Sequence, residues 1–201
     1  MNTVACWLTN SDPMASESQE LARGLRRRDP ELLDRLIEQY RFRLFRYLQC
    51  LTCQRETAEE LFQETWVRVL ERGHQYNHKW KFESWLFTIA RNLVIDMQRR
   101  KRPQLIDLLG GGGHEDKAFE LEAKDQPSAF DEVRREEEGE RISSALSTLP
   151  ANYREVLTLR FQEDMTLDEI AVVVRAPLPT VKSRLYRGLE MMRLQLQGAQ
   201  Q

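Results

Sequence analysis

From Pro30 to Leu51, apolar residues fall at Leu33, Leu36, Ile37, Tyr40, Leu44, Tyr47, Leu48 and Leu51. Steps of three and four place them on one face of a helix. Thr57-Ala58-Glu59-Glu60 has the form of a capping box, in which the threonine oxygen accepts an early amide hydrogen while the glutamate three residues on reaches back. Leu61, Trp66, Val69 and Leu70 extend that second stripe, and Gly73 with His74-Gln75-Tyr76-Asn77 interrupts it. Trp85, Leu86, Ile89, Leu93 and Met97 predict a helix that runs into Arg99-Arg100-Lys101-Arg102 and stops at Pro103.

Helical spacing returns with Ile142, Leu146 and Leu149, and again after Pro150 with Val156, Leu157 and Phe161. Thr166-Leu167-Asp168-Glu169 is a second capping box, with Leu167, Ile170, Ala171 and Val174 on one side. After a short break at Arg175-Ala176-Pro177-Leu178, Pro179 suits a first helical position because it has no amide hydrogen to leave unpaired. The last stripe, Val181, Leu185, Leu189, Met192 and Leu196, faces inward. No stretch alternates as a strand would, so the chain reads as all-α. Between the two helical runs lie four consecutive glycines, Gly110 to Gly113, flanked by Asp107, Glu115, Asp116, Glu120, Glu122 and Asp125. Such backbone freedom beside repelling charge predicts a flexible linker.

Charge sharpens this division. The 201 residues carry a net −2. Residues 1–102 hold 18 Lys/Arg against 14 Asp/Glu, residues 103–141 hold 5 against 12, and residues 142–201 hold 7 against 6. Two modules with basic stretches thus flank an acidic middle, and the overall balance hides any nucleic-acid surface. No apolar run approaches the roughly 18 residues a membrane span needs, and the first residues lack a basic n-region, so a cytoplasmic protein is expected. Met14 offers an alternative start. Cys6, Cys50 and Cys53 are too few for a disulfide framework. Cys50-Leu51-Thr52-Cys53 could hold zinc only with ligands from elsewhere, such as His74 or His78, and redox sensing by this pair has no other support in the sequence.

Two constellations carry chemistry. In the last helix, Thr180, Ser183 and Arg187 point away from the apolar stripe, with Lys182, Arg184 and Tyr186 beside them. A short helix, a tight turn and a second helix with a basic outer face match a helix-turn-helix, whose side chains reach phosphates and base edges. An ordinary amphipathic hairpin has the same pattern. Upstream, Tyr76-Asn77-His78-Lys79-Trp80-Lys81-Phe82 alternates aromatics with cations. Flat rings stack on unpaired bases while lysines neutralise the backbone, a combination suited to single strands. Phe82 and Trp85, three apart, read as core; Trp80, between two lysines, does not.

Read together, these pieces resemble the sigma-70 family, extracytoplasmic-function group. The resemblance covers residues from about 19 to 103 and from about 132 to 196. Ala58 to Trp66 is similar to the family's polymerase-contacting segment. Phe82 to Asn92, continued by Asp96, Arg99 and Arg100, is similar to its promoter-melting segment. Leu149-Pro150, Arg154, Val156, Leu159, Thr166 to Ala171 and Thr180 to Arg187 follow its final domain. The resemblance implies a fold of two small helical domains joined by a flexible acidic linker: a disordered N-terminal extension at 1–18, a region 2 domain at 19–103, a linker at 104–131 and a region 4 domain at 132–201. It implies that Leu61, Phe62, Gln63 and Glu64 meet core RNA polymerase, whose β and β′ subunits are the partners. It places Tyr76, Asn77, Lys79, Trp80, Lys81, Arg91, Asn92, Arg99, Arg100 and Arg102 on the promoter −10 element, and Thr180, Lys182, Ser183, Arg184, Tyr186 and Arg187 on the −35 element.

A sigma factor of this kind recognises the promoter, helps open it, and answers to an anti-sigma protein. It carries no catalysis of its own, cofactor, metal or small-molecule substrate. The family often has glycine where this chain has Arg175, so a left-handed turn there would cost a side chain about 1 kcal/mol and the backbone is open to difference. Pro179 stands at a position often small in the family, and the loop Asn77 to Lys81 is not a common sequence for its place. The rival readings are a stand-alone helix-turn-helix regulator and a helical interaction protein; neither uses both the loop and Leu61 to Glu64.

Overall fold

The computed structural model describes the backbone of residues 13–109 and 141–198, and side chains at 18–100 and 141–197. Every regular element among them is helical. The first module holds α1 (Pro13–Arg27), α2 (Pro30–Thr52), α3 (Arg55–Arg72), a 3-10 turn (Gly73–Gln75) and α4 (Phe82–Leu109). The second holds α5 (residues 141–148), α6 (Ala151–Leu157), a π-helical turn (Thr158–Gln162), α7 (Leu167–Val174) and α8 (Leu178–Gly198).

Local chemistry sets these boundaries. Asp29 caps α2 by accepting from the amides of Glu31 and Leu32, and Pro30 follows at the helix start. At α7 the capping box is complete. Thr166 Oγ1 accepts from the Glu169 amide, and Glu169 Oε2 accepts from the Thr166 amide at 2.8 Å. Arg175 ends α7 at φ 49°, ψ 47°, so the arginine adopts the left-handed turn instead of forcing another backbone. α1 lies across the 3-10 turn, where a Cβ on Gly73 would come within 2.9 Å of the Leu25 carbonyl oxygen. Only glycine permits that approach.

Four sequence expectations need correction. Thr57 caps nothing: α3 begins at Arg55, and the Thr57 hydroxyl donates to Gln54 Oε1 inside the first turn. Pro103 does not stop α4, which continues to Leu109; proline removes one helical donor without removing the helix. The extension at 1–18 is helical from Pro13, because α1 buries Ala22 and Leu25 on the turn below. Leu70, Ile142, Phe161 and Leu189, placed on inward stripes, are exposed. The remainder of the extension and linker residues 110–131 lie outside the described residues, as does Cys6.

α2, α3 and α4 pack around Leu44, Tyr47, Leu48, Val69, Leu86 and Phe87, with the rings of Tyr47 and Phe87 edge to face at 4.9 Å. In the second module α6 and α7 pack on α8 over Val156, Leu159, Met165, Ile170, Val173 and Val181. α6 also lies against α2, and α7 against α4, so both cores join in one apolar cluster. Phe87→Ala is expected to lower stability by about 3–5 kcal/mol, seen as a lower urea midpoint at unchanged slope.

Candidate nucleic-acid and polymerase interfaces

The loop between the 3-10 turn and α4 is built from below by an aromatic cluster. Tyr76 is 2% exposed; its ring meets Phe82 and Trp85 at 5.8 and 5.4 Å, and its hydroxyl donates to the Trp80 carbonyl at 3.0 Å. Burial raises its hydroxyl pKa. Tyr76 therefore braces the loop and does not face a nucleic acid, which corrects the expectation for that residue. Phe82 is buried as expected, and Trp85 is half-buried against it. Trp80 remains 39% exposed at the loop tip, with Asn77 and Lys79 exposed beside it. Asn77 Oδ1 accepts from the Lys79 amide, and His78 takes a left-handed conformation (φ 50°), so the loop holds a defined shape.

A groove of about 590 Å³ between α3 and α4 brings together residues expected on two different partners. Leu61 and Glu64 line one wall, Asn92 and Arg100 the other. Leu61 is buried in the wall, Phe62 packs edge-on against Phe45 and Trp66, Gln63 is exposed, and Glu64 pairs with Arg68 at 2.9 Å. Arg99 is exposed and pairs with Asp96; the side chain of Arg102 is outside the described residues.

On α8, Lys182, Ser183, Tyr186 and Arg187 are exposed, and Thr180 and Arg184 half-buried. Among the described residues, none of Lys182, Arg184 and Arg187 has an ion-pair partner.

The cations of the first module are placed differently. Arg91 Nε donates to Glu155 Oε1 at 2.7 Å, and the Tyr47 hydroxyl donates to the same oxygen at 2.9 Å. Burial, then the carboxylate, pushes Tyr47 well above its ordinary pKa and keeps it a donor. Lys81 Nζ sits 3.0 Å from Glu169 Oε1, the capping-box oxygen left over from Thr166. Arg43 and Arg46 of α2 both reach Glu163, at 2.7 and 2.8 Å. The π-helical turn ends there, with the Glu163 amide donating to the Thr158 carbonyl, and the carboxylate is wholly buried. Three glutamates of the second module thus hold four cations of the first, and two of those cations, Lys81 and Arg91, are residues expected on DNA.

Nothing in the sequence pattern announced this seam, since Glu155 and Glu163 look like ordinary solvated charges and Glu169 like a capping residue alone. Burial alone would raise Glu169, but bonds from Thr166 and Lys81 outweigh it and hold its carboxyl below the ordinary 4.5. A lowered folded-state value means that its contribution is complete above 4.5 and is lost as pH falls through the folded value. Acidification through the folded value is expected to loosen the contact with Lys81, measurable by NMR as movement of the Lys81 ε-methylene resonances toward those of the exposed Lys79 as Glu169 is protonated.

The described residues thus form two helical modules, one with an exposed indole between two lysines and the other with a helix-turn-helix whose outer face carries Lys182 and Arg187. The family described as Sigma-70 region 2 matches residues 36–104, and Sigma-70, region 4 matches residues 139–192. The ECF RNA polymerase sigma factor RpoE of Cereibacter sphaeroides is 31% identical over 138 residues, covering 68% of this chain and 70% of that protein. SigW of Bacillus subtilis is 28% identical over 169 residues, covering 84% and 90%. Among solved structures, the sigma factor RpoE in complex with the anti-sigma factor NepR from Bartonella quintana superposes with a TM-score of 0.62 at 22% identity, covering 82% of this chain and 96% of that one. CnrH in complex with the cytosolic domain of CnrY does so at 0.63 and 18%, covering 90% and 97%. The chain belongs to the extracytoplasmic-function group of RNA polymerase sigma factors. It is a promoter-recognising initiation factor that binds core RNA polymerase.

No described helix is long and apolar enough to cross a membrane, and no group of three or more metal-ligating side chains occurs among the described residues.

Proposed function

We propose that residues 19–103 capture the opened −10 strand, that residues 132–201 read the −35 duplex, and that the free chain holds these two surfaces together until polymerase parts them. The observation that carries this reading is Trp80, an exposed indole on a braced loop between two lysines. Opening a duplex loses about 1.4 kcal/mol of stacking per base-pair step. One base stacked on an aromatic ring returns about 1–3 kcal/mol. A single capture site therefore offsets one or two steps, enough to bias opening without any nucleotide hydrolysis. Asn77, Lys79, Asn92, Arg99, Arg100 and Arg102 would serve the same strand, joined by Lys81 and Arg91 once their glutamates release them. Leu61, Phe62, Gln63 and Glu64 form the polymerase-facing segment. In the second module Thr180, Lys182, Ser183, Arg184, Tyr186 and Arg187 face the major groove.

The chain acts as a specificity subunit without catalysis of its own, in the cytoplasm, under an anti-sigma protein. Support for that partner is the fold shared with a sigma factor solved in complex with an anti-sigma factor. Run-off transcription with core polymerase tests the reading. Trp80→Ala should cut initiation on duplex promoters about tenfold, and a pre-melted template should restore most of it. Failure of that rescue would make Trp80 structural.

A further inference from the structure

Cys50 and Cys53 stand at the seam, and each sulfur makes its polar contact across it. Cys50 Sγ lies 3.0 Å from Thr158 Oγ1, and Arg154 Nη1 donates to Cys53 Sγ at 2.9 Å. Both thiols line one small cavity, about 210 Å³, with Arg154, Ser147 and Gln162. Arg154 is only 8% exposed. Its other bond runs to the Ser147 carbonyl, its Nε has no partner, and among the described residues no carboxylate pairs with it. A buried guanidinium without an acid is an unfavourable arrangement; the groups that meet Arg154 Nη1 are the Ser147 carbonyl at 2.8 Å and the Cys53 sulfur at 2.9 Å. Cys53 itself is held at φ 53°, a left-handed position just beyond α2 where a side chain is strained.

We propose that Cys50 and Cys53 form a dithiol site for hydroperoxides, whose oxidation to a disulfide releases the second module from the first. The Cys53 sulfur attacks the peroxide O–O bond and takes one oxygen. The other oxygen leaves as water or an alcohol carrying a proton, so the peroxide is reduced by two electrons and Cys53 becomes a sulfenic acid. The Cys50 thiol then attacks the sulfenic sulfur; the S–S bond forms and a second water departs. Two thiols and one hydroperoxide thus give one disulfide, one alcohol or water, and one water. Arg154 lines the cavity beside both thiols, and its Nη1, already on the Cys53 sulfur, is the donor placed to meet the sulfenic oxygen. Burial pushes the Cys50 thiol up to about 11, so Cys50 is not the thiol that attacks first; it resolves the sulfenic acid only because it stands three residues from Cys53 on the same cavity.

The geometry permits closure. Residues three apart on a helix have Cβ atoms about 5–6 Å apart, and a disulfide needs about 3.5–4.5 Å. Cys53 lies past the last helical residue, so the required swing falls on its own cap bond, from its amide to the Gln49 carbonyl. Its sulfur is already turned back, 3.7 Å from the Cys50 carbonyl oxygen. Closing the bond removes both cross-seam sulfur contacts and strands a donor of Arg154, shifting the modules apart by about tenfold in equilibrium. This inference goes beyond the initiation reading, since neither thiol is assigned to polymerase or DNA.

The test uses the full chain with Cys6→Ser, treated with hydrogen peroxide. Mass spectrometry after alkylation should show a linked Cys50–Cys53 peptide. Cys50→Ser should stop at a sulfenic acid that a dimedone probe traps, and Arg154→Gln should slow its formation. Energy transfer between dyes on α2 and α8 should fall on oxidation, recover with dithiothreitol and stay constant in Cys53→Ser. Unreacted thiols, or a disulfide that leaves the transfer unchanged, would overturn the proposal.

Discussion

Glu155→Ala is expected to open the free chain and raise its affinity for a single-stranded −10 fragment by tenfold or more. The change removes the acceptor shared by Arg91, which is half-buried, and Tyr47, which is fully buried in the closed chain. An orphaned buried hydroxyl costs about 1–3 kcal/mol, and an orphaned buried guanidinium more. Arg91 keeps 17% of its side chain exposed, so part of that larger penalty is relieved by water. A net weakening of closure by about 2–4 kcal/mol follows. Separation of the modules hydrates both groups and removes the penalty, so the chain opens instead of unfolding. Glu155→Gln, which keeps a neutral acceptor, should fall between. Unchanged single-strand affinity in a folded Glu155→Ala chain would mean that the seam does not mask Arg91.

A seam whose apolar contacts are flanked by ion pairs suits a joint that must part. Replacing a buried pair by apolar groups is often neutral or stabilising, because desolvation offsets much of the attraction. The pairs between Arg43, Arg46 and Glu163 therefore give orientation with little net adhesion. Polymerase needs to supply only a modest differential affinity to shift such an equilibrium. On the proposed reading, promoter phosphates would compete with Glu155 for Arg91 and with Glu169 for Lys81.

On the opposite module, Arg187→Ala should weaken binding to a −35 duplex by about 10–100-fold if the guanidinium reads a base, since a good bidentate contact is worth about 1–3 kcal/mol. The salt dependence separates the two modes. A base contact relaxes specificity at one position and leaves the slope of affinity against salt nearly unchanged; a phosphate contact lowers that slope by about one and affects all sequences equally. Arg187 carries this weight because it is exposed and, among the described residues, has no ion-pair partner. No change in either quantity would remove it from the interface.

The stripes of α2 and of the α7 capping box were legible because each depends on residues three and four apart, the distance over which a helix is determined by its own sequence. Pro103 and Thr57 misled for the same reason: both are local signals that neighbouring turns overrode. Tyr76 was misread because alternation with cations describes a loop equally whether an aromatic points out or in; only the rings of Phe82 and Trp85 beneath it decide. The seam was illegible. Arg43 meets Glu163 across 120 positions and Arg91 meets Glu155 across 64, and no periodicity carries such pairings. Arg154 looked like a family-motif residue, and its place beside Cys53 emerged only in three dimensions.

Energy transfer between dyes on exposed positions of α2 and α8 measures the distance between the modules, first in the free chain and then on core polymerase with promoter DNA. A closed free chain that parts on the enzyme gives high transfer alone and low transfer in the complex. Equal transfer in both states, or low transfer in the free chain, would contradict a seam that hides Lys81 and Arg91 until polymerase arrives.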